Sequence, residues 1–213
     1  MKKIFYLLSL LFNLFTINSL SVPYYYNPDI HNFGNIGIGG KIHAELGPLF
    51  TKIIDNTAYD GRDIRSEIME PYKNKKVIDL CCGTGLSTLD NNLGIDTSNE
   101  MINVARRYNK NSQFKYGNAE TFGNYKEFDI VTCFFSFHEM PNYAHLNIIN
   151  NCKRIAKEEI IIVDISTKYT PSNIMLSGEP YLLNYLDSID NILNEFNKSI
   201  YIENHIDIWR LKL

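Results

Sequence analysis

Four short segments place residues capable of chemistry directly after apolar runs. Asp79-Leu80-Cys81-Cys82-Gly83-Thr84-Gly85 continues the run Lys76-Val77-Ile78. Gly83 and Gly85 let a backbone come close to a ligand, and the helix start expected after them offers free N–H groups. Asp96 closes a second run, Leu93-Gly94-Ile95, 17 residues after Asp79. An acid there is placed to accept from both hydroxyls of a ribose, near the ~20-residue offset of nucleoside-binding sheets. It is also placed to cap the helix that begins beyond Asp96-Thr97-Ser98. Gly117-Asn118-Ala119-Glu120 follows Gln113–Tyr116. Asn118 carries donors and an acceptor, so it can read an adenine edge or make a turn. The fourth segment, Cys133-Phe134-Phe135-Ser136-Phe137-His138-Glu139-Met140-Pro141, follows the run from Phe128. Its carbonyls and aromatics would line a reaction pocket, and His138 and Glu139 are the nearest groups able to exchange a proton.

Elements of a regular kind must hold these tips together. Lys76–Leu80, Leu93–Asp96, Gln113–Tyr116, Phe128–Phe135 and Glu159–Ile165 read as strands; the last two are apolar enough to be covered on both faces. Helical spacing predicts helices over Lys41–Asn56, Asp63–Glu70, Met101–Tyr108, Pro141 to about Ala156, and Pro180–Phe196. Ser199–Asn204 and Ile206–Leu213 suit a closing hairpin around His205. Strand–helix alternation predicts an α/β fold. It is a Rossmann-like, doubly wound, mostly parallel sheet with a C-terminal antiparallel hairpin and an N-terminal helical and loop cover. Residues 22–75 are the expected cover and 76–213 the main domain. Residues 22–40 read as loop, because Gly34, Gly37, Gly39 and Gly40 disfavour a helix. Tyr24, Tyr25 and Tyr26 would pack that segment on the sheet or form part of a lid.

Composition narrows the partners. The chain of 213 residues is 45% hydrophobic, enough for a packed core and against disorder as its main state. Its formal net charge of -3 lacks the basic excess that nucleic acid demands. Cys81, Cys82, Cys133 and Cys152 show no zinc-type spacing, no metal site is expected, and they read as free thiols. The start of the chain points elsewhere. Met1-Lys2-Lys3, the apolar stretch Ile4–Phe15 and Ser19-Leu20-Ser21 have the form of a signal peptide over residues 1–21, or of a membrane anchor. The expected location is then the secretory pathway, a membrane, or an organelle reached through such a leader. It is the cytoplasm if residues 1–21 carry no targeting signal.

Taken in order, the four tips resemble the class I S-adenosylmethionine-dependent methyltransferases that act on small molecules. The likeness covers about Lys76–Ile165. Val77 through Gly85 looks like the family's first motif, Gly94–Ser98 with Met101 like its second, Gly117–Glu120 like its third, and Phe128-Asp129 through Pro141 like its fourth. The resemblance implies S-adenosyl-L-methionine as cofactor, held by Asp79, Cys81, Gly83, Gly85, Asp96, Thr97, Met101, Asn118, Ala119, Cys133 and Phe134. It implies in-line methyl transfer to a small-molecule substrate. An acid or base is needed only if the nucleophile arrives protonated, and His138 and Glu139, just past the fourth strand, are then the nearest catalytic candidates, with His31 as a second one. Three departures stand out. Cys81 replaces a usual Gly, Asn118 replaces a usual Asp, and only ten residues join Gly85 to Asp96. Two other readings compete: a non-catalytic cofactor-binding or assembly protein, and a nicotinamide-dependent oxidoreductase. The second lacks G-x-G-x-x-G, since Leu86-Ser87-Thr88 follows Gly85.

Overall fold

The computed structural model describes residues 22–213. The expected leader over 1–21 lies outside the described residues. After one-turn helices at Tyr24–Tyr26 and Ile30–Asn32, the elements run α1 (Gly37–Ala58), α2 (Ile64–Met69), β1 (Val77–Leu80), β2 (Leu93–Asp96), α3 (Asn99–Tyr108), β3 (Gln113–Tyr116) and β4 (Phe128–Phe134). Then come α4 (Asn142–Ile155), β5 (Ala156–Ile165), α5 (Asn173–Gly178), α6 (Leu182–Ile192), β6 (Asn197–Ile202) and β7 (Ile206–Lys212). The seven strands form one sheet in the order β3-β2-β1-β4-β5-β7-β6. The first five are parallel, and β7 runs antiparallel to both neighbours, as the hairpin pattern predicts.

Period-two alternation splits the strand side chains between two layers. Ile78, Leu80, Val131, Cys133, Ile160 and Ile162 pack under α4 and α6, against Ile148, Cys152, Tyr185 and Ile189. Val77, Ile130, Ile161 and Val163 pack the other way, against Ile64, Ile68 and Met69 of α2. The stretch Ile160–Val163 of β5 is apolar throughout because helices cover both faces. The parallel strands all present their carboxyl ends on one edge, and the chemistry-bearing residues follow those ends.

Two expectations are overturned. Helix α1 begins at Gly37, inside the glycine-rich stretch read as loop. The glycines permit a close approach. A Cβ on Gly39 would sit 2.0 Å from the Phe33 carbonyl oxygen, and one on Gly40 would sit 2.4 Å from the Asn35 carbonyl carbon. The preceding loop thus lies directly on the first turn of α1, and tertiary contact outweighs the propensity cost. The second correction concerns β1 to β2, where no helix forms; residues 81–92 are turns and bends. Ten residues between Gly85 and Asp96 leave no room for a helix that must also return the chain to the start of a parallel strand.

Candidate active site

The loop after β1 gets from buried carboxylate chemistry the rigidity a helix would have given. Asp79, 1% exposed, accepts hydrogen bonds from Ser87 Oγ at 2.8 Å, Thr88 Oγ1 at 2.7 Å and Thr132 Oγ1 at 2.9 Å. It thereby ties the loop to β1 and β4. Burial raises its pKa, and the three hydroxyls oppose that rise. Asn92 adds a clasp by accepting from the Val77 N–H at 2.6 Å. Cys81, Gly83 and Gly85 all take left-handed backbone angles, with φ of 54°, 51° and 79°. A side chain in that region costs ~1–2 kcal/mol. Cys81→Gly is therefore expected to leave thermal unfolding unchanged or to stabilise by up to about 1 kcal/mol, because relieved strain offsets the lost thiol packing. A calorimetric melt checks this.

Asp96 faces the loop from the end of β2. Its Oδ2 accepts the Gly83 N–H at 2.9 Å and its Oδ1 accepts the Ser98 N–H at 2.8 Å. A carboxylate oxygen has two acceptor directions, so each keeps one for a ligand hydroxyl. Ser98, not Asp96, caps α3, its Oγ accepting from the Met101 N–H at 3.2 Å. Burial pushes Asp96 up to about 6.

These tips open into a cavity of about 790 Å³, roofed by α1 and the segment before it. Cys81, Gly83, Asp96, Thr97, Met101 and Asn118 line it, as do Ala119, Phe134, His138, Glu139 and His31. Three residues expected at the cofactor do not. Asp79 is the buried anchor just described. Gly85 turns away, where a Cβ would strike the Phe114 ring at 2.7 Å. Cys133, 1% exposed, lies below with its Sγ 2.9 Å from Ser136 Oγ. Asn118 spends its side-chain oxygen on the Glu120 N–H at 2.8 Å, which leaves its amide N–H groups without a partner among the described residues. Phe137 is fully buried and stacks on His145, so it is core; Phe134 and Phe135 reach the cavity. Tyr24 packs the cover down through Glu120 Oε1 at 3.1 Å, and Tyr26 through the Tyr116 hydroxyl at 3.0 Å.

A chain of alternating acids and histidines crosses the cavity wall. Asp164 Oδ1 holds His138 Nδ1 at 2.6 Å, and His138 Nε2 lies 3.9 Å from Glu139 Oε1. Glu139 Oε1 meets His31 Nε2 at 2.8 Å, and His31 Nδ1 meets Glu179 Oε1 at 2.7 Å. Burial lowers the pKa of both histidines, but their carboxylate partners outweigh it. His138 ends at about 9 and His31 at about 11, while His31 pulls the buried Glu139 down to about 2. His43, on α1, packs against His31 with ring centroids 4.4 Å apart and the rings tilted by 58°. Its burial and the His31 cation lower its pKa, so it is the neutral imidazole of the group. Its Nδ1 lies 3.3 Å from the Gly34 carbonyl oxygen, a position for N–H donation that leaves Nε2 a bare acceptor. Glu179 and His43 carry no local sequence signal, since both gain meaning only when α1 and α5 fold over the sheet edge.

The cavity fits an S-adenosyl group by its donors and acceptors: the Asp96 oxygens for a ribose, the Asn118 amide for a base edge, and a Gly83 beside which a Cβ would meet open space. Comparison with known proteins agrees. Residues 77–159 match the family described as "Methyltransferase domain". A demethylmenaquinone methyltransferase of Lactococcus lactis is 31% identical over 108 residues, 44% of this chain and 42% of that protein. The chain thus spans under half the length of that relative. A second demethylmenaquinone methyltransferase, from Thermotoga maritima, is 26% identical over 168 residues, 68% of this chain and 70% of that one. The crystal structure of a SAM dependent methyltransferase from Aquifex aeolicus superposes with a TM-score of 0.53 at 15% identity, covering 70% of this chain and 88% of its own, a likeness of fold. The strand order and the matched segment together show a methyltransferase domain over residues 77–159, similar in fold to the S-adenosylmethionine-dependent methyltransferases.

Proposed function

We propose that the chain transfers a methyl group from S-adenosylmethionine to a small, largely apolar molecule. The observation that carries this reading is the cavity itself. At about 790 Å³ it lies in the upper part of the ~300–1,000 Å³ range of ligand pockets, room for a nucleoside and a second ligand side by side. Asp96 and Asn118 gather at one end of the sheet edge, while Phe50, Ile54, Phe135 and Tyr169 supply apolar wall. The relatives are named for methylating demethylmenaquinone, so a quinol is the compound class to assay first.

The bound cofactor supplies an electrophilic methyl on a sulfonium. The protein's work is orientation and exclusion of water, which together supply ~7–11 kcal/mol when the fit is close. Asp96 fixes the ribose. Phe134 and Phe135 give the cation aromatic surface. The His31 clamp on Glu139 and Glu179 holds the cover shut over the site. A nucleophile that arrives protonated needs a base, and of His31, His43 and His138 around Glu139 the one with a free lone pair at neutral pH is His43. His138 and His31 are held charged by their carboxylates. Isothermal calorimetry tests the reading: S-adenosylmethionine should bind and NAD should not. Binding of NAD alone would restore the oxidoreductase, and cofactor binding without turnover of any quinol would favour the non-catalytic alternative.

A further inference from the structure

Helix α1 is 22 residues long, about 33 Å, yet only Gly40 and Ala44 are buried. At 100° per residue, Ile38, Leu49, Ile42 and Ile53 fall within about 60° of one another. All four are exposed, Ile38 at 83%. Around the same helix, Phe50 and Ile54 turn toward the cavity and line it. Across the cavity mouth Ile174 is 84% exposed and lines it too. The apolar row thus runs without a break from solvent into the site.

Charge flanks the row asymmetrically. The helix's two acids are neutralised by neighbours, Glu45 by Arg107 and Asp55 by Arg65. Its two lysines, Lys41 and Lys52, lie beside the apolar row and have no acidic partner among the described residues. That pattern of apolar row and unpaired lysines complements an anionic lipid surface, with long lysine stems reaching up to headgroups. No helix among the described residues is long and apolar enough to cross a membrane.

We propose that α1 docks the protein on an anionic bilayer and sets the cavity mouth against the lipid, so that an apolar ligand passes between them without crossing water. The docking stands on α1 alone; the passage of a methyl acceptor rests on the proposed methyl transfer.

The test uses the full chain in flotation with vesicles of mixed phosphatidylcholine and phosphatidylglycerol, and of phosphatidylcholine alone. The double variant Ile38→Asp/Leu49→Asp should lower partitioning at least about tenfold. Lys41→Glu/Lys52→Glu should abolish the preference for the anionic vesicles. None of these four residues lines the cavity, so affinity for S-adenosylhomocysteine should stay unchanged, which also reports that each variant is folded. Unaltered partitioning in both variants would assign any binding to the leader and overturn the proposal. So would a dimer that Ile38→Asp/Leu49→Asp dissolves while vesicle binding persists. Vesicle binding with no affinity for S-adenosylhomocysteine in the wild type would leave the docking standing and sink the methyltransferase reading.

Discussion

Asp96→Ala should weaken binding of S-adenosylmethionine by about 1–3 kcal/mol, a loss of roughly 5–150-fold. The carboxylate spends one acceptor direction of each oxygen on the Gly83 and Ser98 N–H groups, which leaves two on a side chain that lines the cavity. Those two are what a ribose diol needs. Protonation should imitate the mutation in part. Burial raises Asp96 to about 6. The ionised form, which accepts both hydroxyls, is complete only above that value, so affinity should fall as pH drops through about 6. The raised pKa also fixes the sign for folding. An acid whose folded pKa is raised costs stability once ionised, so the cofactor-free wild type should lose stability as pH rises from about 4 to 6. Asp96→Ala should show a smaller loss, keeping the part that comes from the raised Asp79 and Asp55. Calorimetric titration with S-adenosylhomocysteine at pH 5 and pH 7.5 measures the first effect. Equal affinity in wild type and variant would remove Asp96 from the ribose site.

The sheet was readable because its signal is local. Ile160, Ile161, Ile162 and Val163 are apolar on both faces, which needs helices above and below. That Asp96, Thr97 and Asn118 line one cavity was readable because the ends of parallel strands must meet at one edge. The failures have a common physical origin. Gly39 and Gly40 look like helix breakers until the Phe33 and Asn35 backbone is seen lying on them. Asp79 looks like a ligand-binding acid until Ser87, Thr88 and Thr132 are seen to use it. His31 meets Glu139 and Glu179 across 108 and 148 positions of chain, so no spacing rule could pair them. His138 drew attention by following β4, but proximity to a strand end does not disclose Asp164 behind it.

His43→Gln should lower turnover of a hydroxyl-bearing acceptor by about 10²–10⁴-fold, the usual worth of a positioned base. Glutamine can still donate to the Gly34 carbonyl, so α1 should stay in place and affinity for S-adenosylhomocysteine should be unaltered. The pH profile separates this assignment from the sequence-based choice of His138. A base works in its deprotonated form. His43, faced by the His31 cation and by Glu139, has a pKa lowered from 6.5, so activity should rise through a value below 6.5 and hold level through pH 8. His138, held by Asp164, carries its proton up to about 9. Were it the base, activity would keep climbing tenfold per unit from pH 7 to 9. A rising limb near 9, with His43→Gln fully active, would return the role to His138. A limb below 6.5 that vanishes in His43→Gln would place the proton on α1, the same helix whose outer face meets the lipid, so that delivery of the acceptor and its deprotonation would depend on one element.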